Sequence, residues 1–168
     1  MKLYHGSNLE IKNPQILESD RKLDFGTGFY LTSSYEQAEK WAILTAKRRG
    51  EGRPIISVFE YEDNKSSELN ILKFENADIE WLRFVSGNRN NQSTKNDYDI
   101  IIGPVANDKT MPVISLYFTG VYSEEDTIKA YLECSFEADE YDDELTFPNA
   151  IRTSFAKKHL IIRQITKE

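Results

Sequence analysis

A glycine turn that runs straight into an aromatic strand, Asp24-Phe25-Gly26-Thr27-Gly28-Phe29-Tyr30-Leu31-Thr32, restricts this chain more than any other segment. Two glycines one residue apart supply the backbone freedom of a tight turn, and Gly28 to Thr32 has strand character. Ser33 or Ser34 can then cap a helix over 35–49. Ala38, Trp41, Ala42, Leu44 and Thr45 recur there at helical spacing until Gly50 and Gly52 stop it. Ahead of the turn, Lys2 to Gly6 reads as a strand, and within Leu3-Tyr4-His5-Gly6-Ser7 a histidine stands beside a residue that has no side chain. A polar strand residue, bare backbone and aromatic residues at Tyr30 and Trp41 together describe a slot for a flat polar ring.

The rest of the chain mixes short strands and helices in irregular order. Pro54–Glu62 alternates apolar and polar residues over a β-branched run, Leu69–Phe74 reads as another strand, and Asp99–Val105 as a buried one. Helices are expected over 76–85, 111–119 and 123–134, with a loop over 86–96. Near the end, a strand is expected over 144–147, then a helix opened by Pro148 and running to about Lys157, then a strand over 159–165. This order indicates an α+β fold. At 168 residues with no repeat or linker, one domain spanning 1–168 is expected.

The composition narrows the function classes. The net charge of −7 disfavours a general nucleic-acid binder, because an acidic surface repels phosphate backbones. The charge is uneven: six of the eight residues from Glu137 to Glu144 are acids, and Lys157, Lys158 and Arg163 follow. A local basic groove stays open as an alternative. The single cysteine, Cys134, excludes an internal disulfide and fits a reducing compartment. No apolar run reaches the roughly 18–20 residues of a membrane span, and the N-terminus is unlike a signal peptide. A cytoplasmic protein with no membrane partner is expected, and no metal, since His, Cys and carboxylates do not gather at ligand spacing.

Several segments resemble a bacterial family of unknown-function domains, DUF3990: Tyr4-His5-Gly6-Ser7, Leu23 to Thr32, Gln37-Ala38 with Trp41-Ala42, and Asp97 to Asp108. That family looks like a branch of the ADP-ribosyltransferase superfamily, which includes poly-ADP-ribose polymerases and diphtheria-type toxins. The resemblance implies a split antiparallel β core with flanking helices and NAD bound between two half-sheets. It also implies a His-Tyr-Glu catalytic set, which falls on His5, Tyr30 and Glu144. A second aromatic residue, here Trp41, lies eleven positions after Tyr30. Glu144 stands where that family often has Gln in a short C-terminal strand.

On this reading NAD is the substrate. His5, Gly6, Ser7, Arg21, Gly28, Tyr30 and Trp41 bind it. His5 donates to a ribose hydroxyl, Gly6 pairs with the carboxamide, and Tyr30 and Trp41 stack on the nicotinamide ring. Arg21 meets the pyrophosphate, a role also considered for Arg83 and Arg89, and Glu144 stabilises the oxocarbenium-like cation. Each residue has an ordinary alternative: core packing for His5, Tyr30 and Trp41, a turn for the glycines, a solvated surface for Arg21 and Glu144. His159 reads as structural or solvated, and Asn107-Asp108 as a cap. The expected activity is transfer of ADP-ribose to a macromolecular acceptor, protein rather than nucleic acid, with an antitoxin protein as a possible partner. NAD hydrolysis, and an inactive NAD-binding or protein-interaction module, stay open beside it.

Overall fold

A computed structural model describes residues 2–16, 23–61, 69–90, 98–106, 110–141, 150–153 and 163–164. The chain alternates between sheet and helix as β1 (Lys2–Ser7), β2 (Phe29–Thr32), α1 (Tyr35–Arg49), β3 (Ile55–Glu60), β4 (Ile71–Lys73) and α2 (Ile79–Arg89). It continues as β5 (Ile100–Gly103), α3 (Met111–Phe118), α4 (Glu124–Tyr141), β6 (Ala150–Thr153) and β7 (Arg163–Gln164). The seven strands form one sheet in the order β4-β5-β6-β2-β1-β3-β7. All neighbours are antiparallel except β4 and β5, which α2 joins as a parallel crossover unit. The fold is α+β.

The pairing is uneven at the middle of this sheet. β1 pairs with β3 along its whole length, from Lys2↔Glu60 to Ser7↔Ile55. β2 pairs with β6 over four residues. Between β1 and β2 the register holds at Tyr4↔Thr32 alone. The β1–β2 ladder is thus the shortest in the sheet, and past Tyr4↔Thr32 the two strands meet through the His5 side chain.

Two apolar clusters cover the faces of the sheet. One gathers Phe25, Trp81, Leu82, Val85, Ile101, Ile114 and Tyr131 beneath α2, α3 and α4. The other holds Leu3, Phe29, Leu31, Phe59, Tyr61 and Ile100. Consecutive residues Ile100 and Ile101 belong to opposite clusters, as strand alternation requires. Local signals set the helix ends. Ser34 caps α1 by accepting from the Gln37 amide at 3.2 Å, and Gly50 ends it at φ 69°. Asp78 caps α2 by accepting from the Trp81 amide at 2.8 Å.

Three expectations need correction. Residues 150–153 are strand, not part of a helix opened by Pro148. They fill the gap between β2 and β5, whose facing edges would otherwise leave main-chain groups unpaired. α2 begins three residues later than expected and runs through 86–89 instead of giving way to a loop, because Ser86 and Asn88 are buried and Arg89 is tied down at its end. α4 extends to Tyr141 and takes in the start of the acidic run, where Glu and Ala are good helix formers. The strand expected over 144–147 lies outside the described residues, and the one over 159–165 is described only at β7. No helix among the described residues is long and apolar enough to cross a membrane.

Candidate functional site

The glycine turn is held from three sides. Gly26 takes a positive φ of 73° and its amide donates to the Leu23 carbonyl at 3.0 Å; Gly28 needs no such conformation. Asp24, only 5% exposed, accepts from Arg89 Nε at 2.5 Å and from the Ala106 amide at 2.7 Å. Its main-chain carbonyl accepts from Asn88 Nδ2 at 3.0 Å. The end of α2 and the exit of β5 thus clamp one loop residue. Burial pushes the Asp24 carboxyl up from its ordinary value, while the Arg89 cation and the Ala106 amide pull against that shift. Tyr30 closes the turn from the strand side: its hydroxyl donates to the Gly26 carbonyl at 2.7 Å and accepts from the Phe25 amide at 3.1 Å.

His5 sits next to the point where the β1–β2 ladder stops. Its Nδ1 lies 2.8 Å from the Tyr30 carbonyl, so a side chain occupies an acceptor that a continuing ladder would give to a β1 amide. A carbonyl oxygen only accepts, so Nδ1 carries a proton, and in the neutral ring the lone pair is on Nε2. The ring stacks on Phe29 at 4.4 Å, and Ser57 is its cross-strand partner on β3. Ser57 Oγ accepts from the Ile11 amide at 2.9 Å, which draws the segment after β1 over this face. Burial lowers the His5 pKa, and the hydrogen bond to Tyr30 only partly offsets it.

The sign of that shift gives a test. The unfolded chain takes up the His5 proton near 6.5, while the folded chain resists it until lower pH. Stability from this group is complete above that value and is lost as pH falls through the window just below it. Urea unfolding one unit either side of about 6.5 is expected to show a drop on the acid side that His5→Asn reduces. Equal slopes in both proteins would contradict a buried neutral imidazole.

Residues 1–140 match the family described as a protein of unknown function, DUF3990. The chain belongs to this family. No curated protein and no solved structure matches it.

Within this DUF3990 member, the structure brings some of the expected site residues together and separates others. His5 and Tyr30 meet, but through the Tyr30 carbonyl. Phe29 carries the stacked imidazole, so alternation turns the next side chain, Tyr30, to the opposite face of the sheet. There the Tyr30 ring lies nearly parallel to Phe25 with centroids 6.5 Å apart. Gly6 faces α1: a Cβ there would collide with the Ala38 carbonyl oxygen and lie 2.7 Å from the Ala42 nitrogen. Ser7 pairs with Ile55 and is partly buried. Trp41 stands half exposed on α1. Arg21, Glu144, His159, Asn107 and Asp108 lie outside the described residues. Arg89, considered for the pyrophosphate, holds Asp24 instead, and Arg83 forms a two-pronged pair with Glu124 at 2.7 Å. Among the described residues no cluster of three or more His, Cys, Asp or Glu could hold a metal.

Sequence reasoning missed the Asp24 clamp and Ser57. An acid set between apolar Leu23 and Phe25 was the available signal for the first. The position of Ser57 opposite His5 needs the β1–β3 register.

Proposed function

We propose that this protein splits NAD at the nicotinamide–ribose bond and passes the ADP-ribose to a macromolecular acceptor. One observation carries the reading: the β1–β2 ladder stops at Tyr4↔Thr32, and the His5 ring, held by the Tyr30 carbonyl, stands where it stops. The short β1–β2 ladder supports the split core that the resemblance to ADP-ribosyltransferases implies.

The residues on hand suit the nicotinamide end of the dinucleotide. His5 is fixed by Tyr30 and Phe29, and with Nδ1 already donating to the Tyr30 carbonyl the proposed role of Nε2 is to accept from a ribose hydroxyl, not to donate to it as expected from the sequence. Gly6 and Ser7 follow His5 on β1, and their main chain is the proposed partner of the carboxamide. The clamped glycine turn forms a rigid neighbour, since Asp24 and Tyr30 remove its freedom to move. Arg21 is the proposed partner of the pyrophosphate. Glu144 is the proposed carboxylate that stabilises the cation at the ribose as nicotinamide leaves with the bonding pair. A protein acceptor suits the net charge of −7 better than a nucleic acid does.

Nicotinamide release from NAD, followed by chromatography, tests this reading. Wild type is expected to release it, and His5→Ala to slow release by roughly a hundredfold, a common loss for a positioned acid–base group. With labelled NAD and cell extract, label on a protein means transfer and free ADP-ribose alone means hydrolysis. Wild type that leaves NAD intact in both assays overturns the proposal.

A further inference from the structure

The inner side of α1 is built from small residues. Ala38 and Ala42 are buried, and Gly6 lets the helix backbone settle directly on β1. Its large apolar residues stand outside: Trp41 is 51% exposed, Ile43 50% and Leu44 57%. At about 100° per residue, an outward arc of about 160° runs from Ile43 through Lys47, Lys40, Leu44 and Arg48 to Trp41. From Lys40 to Arg49 this helix contains no acid, although acids outnumber bases 28 to 21 in the chain. Cations in a last turn have a local reason, since they face the negative end of the helix dipole. Three large apolar side chains on the same arc have none, and such exposure marks an interaction surface.

The chain also carries the chemical complement. Residues 136–147, Phe-Glu-Ala-Asp-Glu-Tyr-Asp-Asp-Glu-Leu-Thr-Phe, set six acids among Phe136, Tyr141, Leu145 and Phe147. An anionic bilayer or a nucleic acid would also offer negative charge, but segment 136–147 is the run of this chain itself that joins acids to aromatic and aliphatic side chains. A short acidic and aromatic peptide segment presents its charge locally, together with apolar groups to cover Trp41 and Leu44.

We propose that the Lys40–Arg48 face of α1 is a docking surface for a second copy of this chain, occupied by that copy's segment 136–147. A two-fold pair in which each chain gives its acidic segment and receives the other's satisfies both patches on both chains and closes the assembly. This inference is independent of the NAD reading.

Sedimentation velocity of the full-length protein tests it, from about 1 µM to about 1 mM in low salt and again in high salt. Wild type is expected to become dimeric as concentration rises, more weakly in high salt. Trp41→Ala with Leu44→Ala, and separately Lys47→Glu with Arg48→Glu, are expected to weaken the dimer by roughly tenfold or more. Their circular dichroism and thermal unfolding should match wild type, because every replaced side chain is exposed. A third variant, Asp139→Lys with Glu140→Lys and Asp142→Lys, is likewise expected to be monomeric alone. Mixed with the Lys47→Glu, Arg48→Glu protein it should form a heterodimer, since both contacts then pair opposite charges. A monomeric wild type throughout overturns the proposal, as does failure of the two charge variants to rescue each other. Cross-links between α1 and segment 136–147 confined to one chain, or binding of monomer to phosphatidylserine vesicles in place of dimerisation, overturn it too.

Discussion

Alanine at position 6 is expected to lower the unfolding free energy by roughly 3 kcal/mol, the upper range for overpacking a tight site. Its Cβ would strike the Ala38 carbonyl oxygen and approach the Ala42 nitrogen to 2.7 Å. Both are backbone atoms of α1, so no rotamer change relieves the clash, and the helix must shift off the sheet. Because α1 follows β2 directly, that shift also strains the strand that holds His5 through the Tyr30 carbonyl. Gly87→Ala provides the contrast. It lies inside α2 with nothing within 4 Å of an added Cβ, and the better helix former is expected to stabilise by about 0.5–1 kcal/mol. Urea unfolding of both variants measures the difference. A Gly6→Ala protein as stable as wild type would show that α1 does not rest on β1 as described.

Asp24→Ala is expected to be as damaging, by about 3–5 kcal/mol, because it leaves Arg89 partly buried without its counter-charge and the Ala106 amide without an acceptor. Removing both charges is a different matter. Burial opposes the charged form of Asp24, so a matched apolar pair, Asp24→Leu with Arg89→Met, is expected to recover much of the loss. The double-mutant cycle reads this as a strong coupling between the two sites. The pair also orders the glycine turn that the Tyr30 hydroxyl grips, so Asp24→Ala should raise amide exchange at Phe25 and Gly26. Additive effects of the two single substitutions would contradict the clamp.

The readable and unreadable parts of this fold separate by the origin of their signals. α1 could be placed from Ser34, the spacing of Ala38 and Ala42, and Gly50, because capping and periodicity are local. β6 could not. Pro148 is a reasonable helix opener, yet Ala150–Thr153 becomes a strand because β2 and β5 present open edges on either side of it. α2 passes through Gly87 for a similar reason: Asn88 and Arg89, held by Asp24, keep the helix intact past a residue that would ordinarily weaken it. At the site, the meeting of His5 with the Tyr30 strand was readable from two short motifs. The direction of the Tyr30 phenol was not, since it depends on which face of the sheet Phe29 occupies. Trp41 was read by its spacing from Tyr30, and spacing carries no information about exposure.

The most direct measurement is a crystal structure of the protein soaked with NAD. The expected result places the nicotinamide ring beside His5 where the β1–β2 ladder stops, with His5 Nε2 within hydrogen-bond distance of a ribose hydroxyl. Dinucleotide bound away from His5, or none bound at saturating NAD in well-ordered crystals, would contradict it.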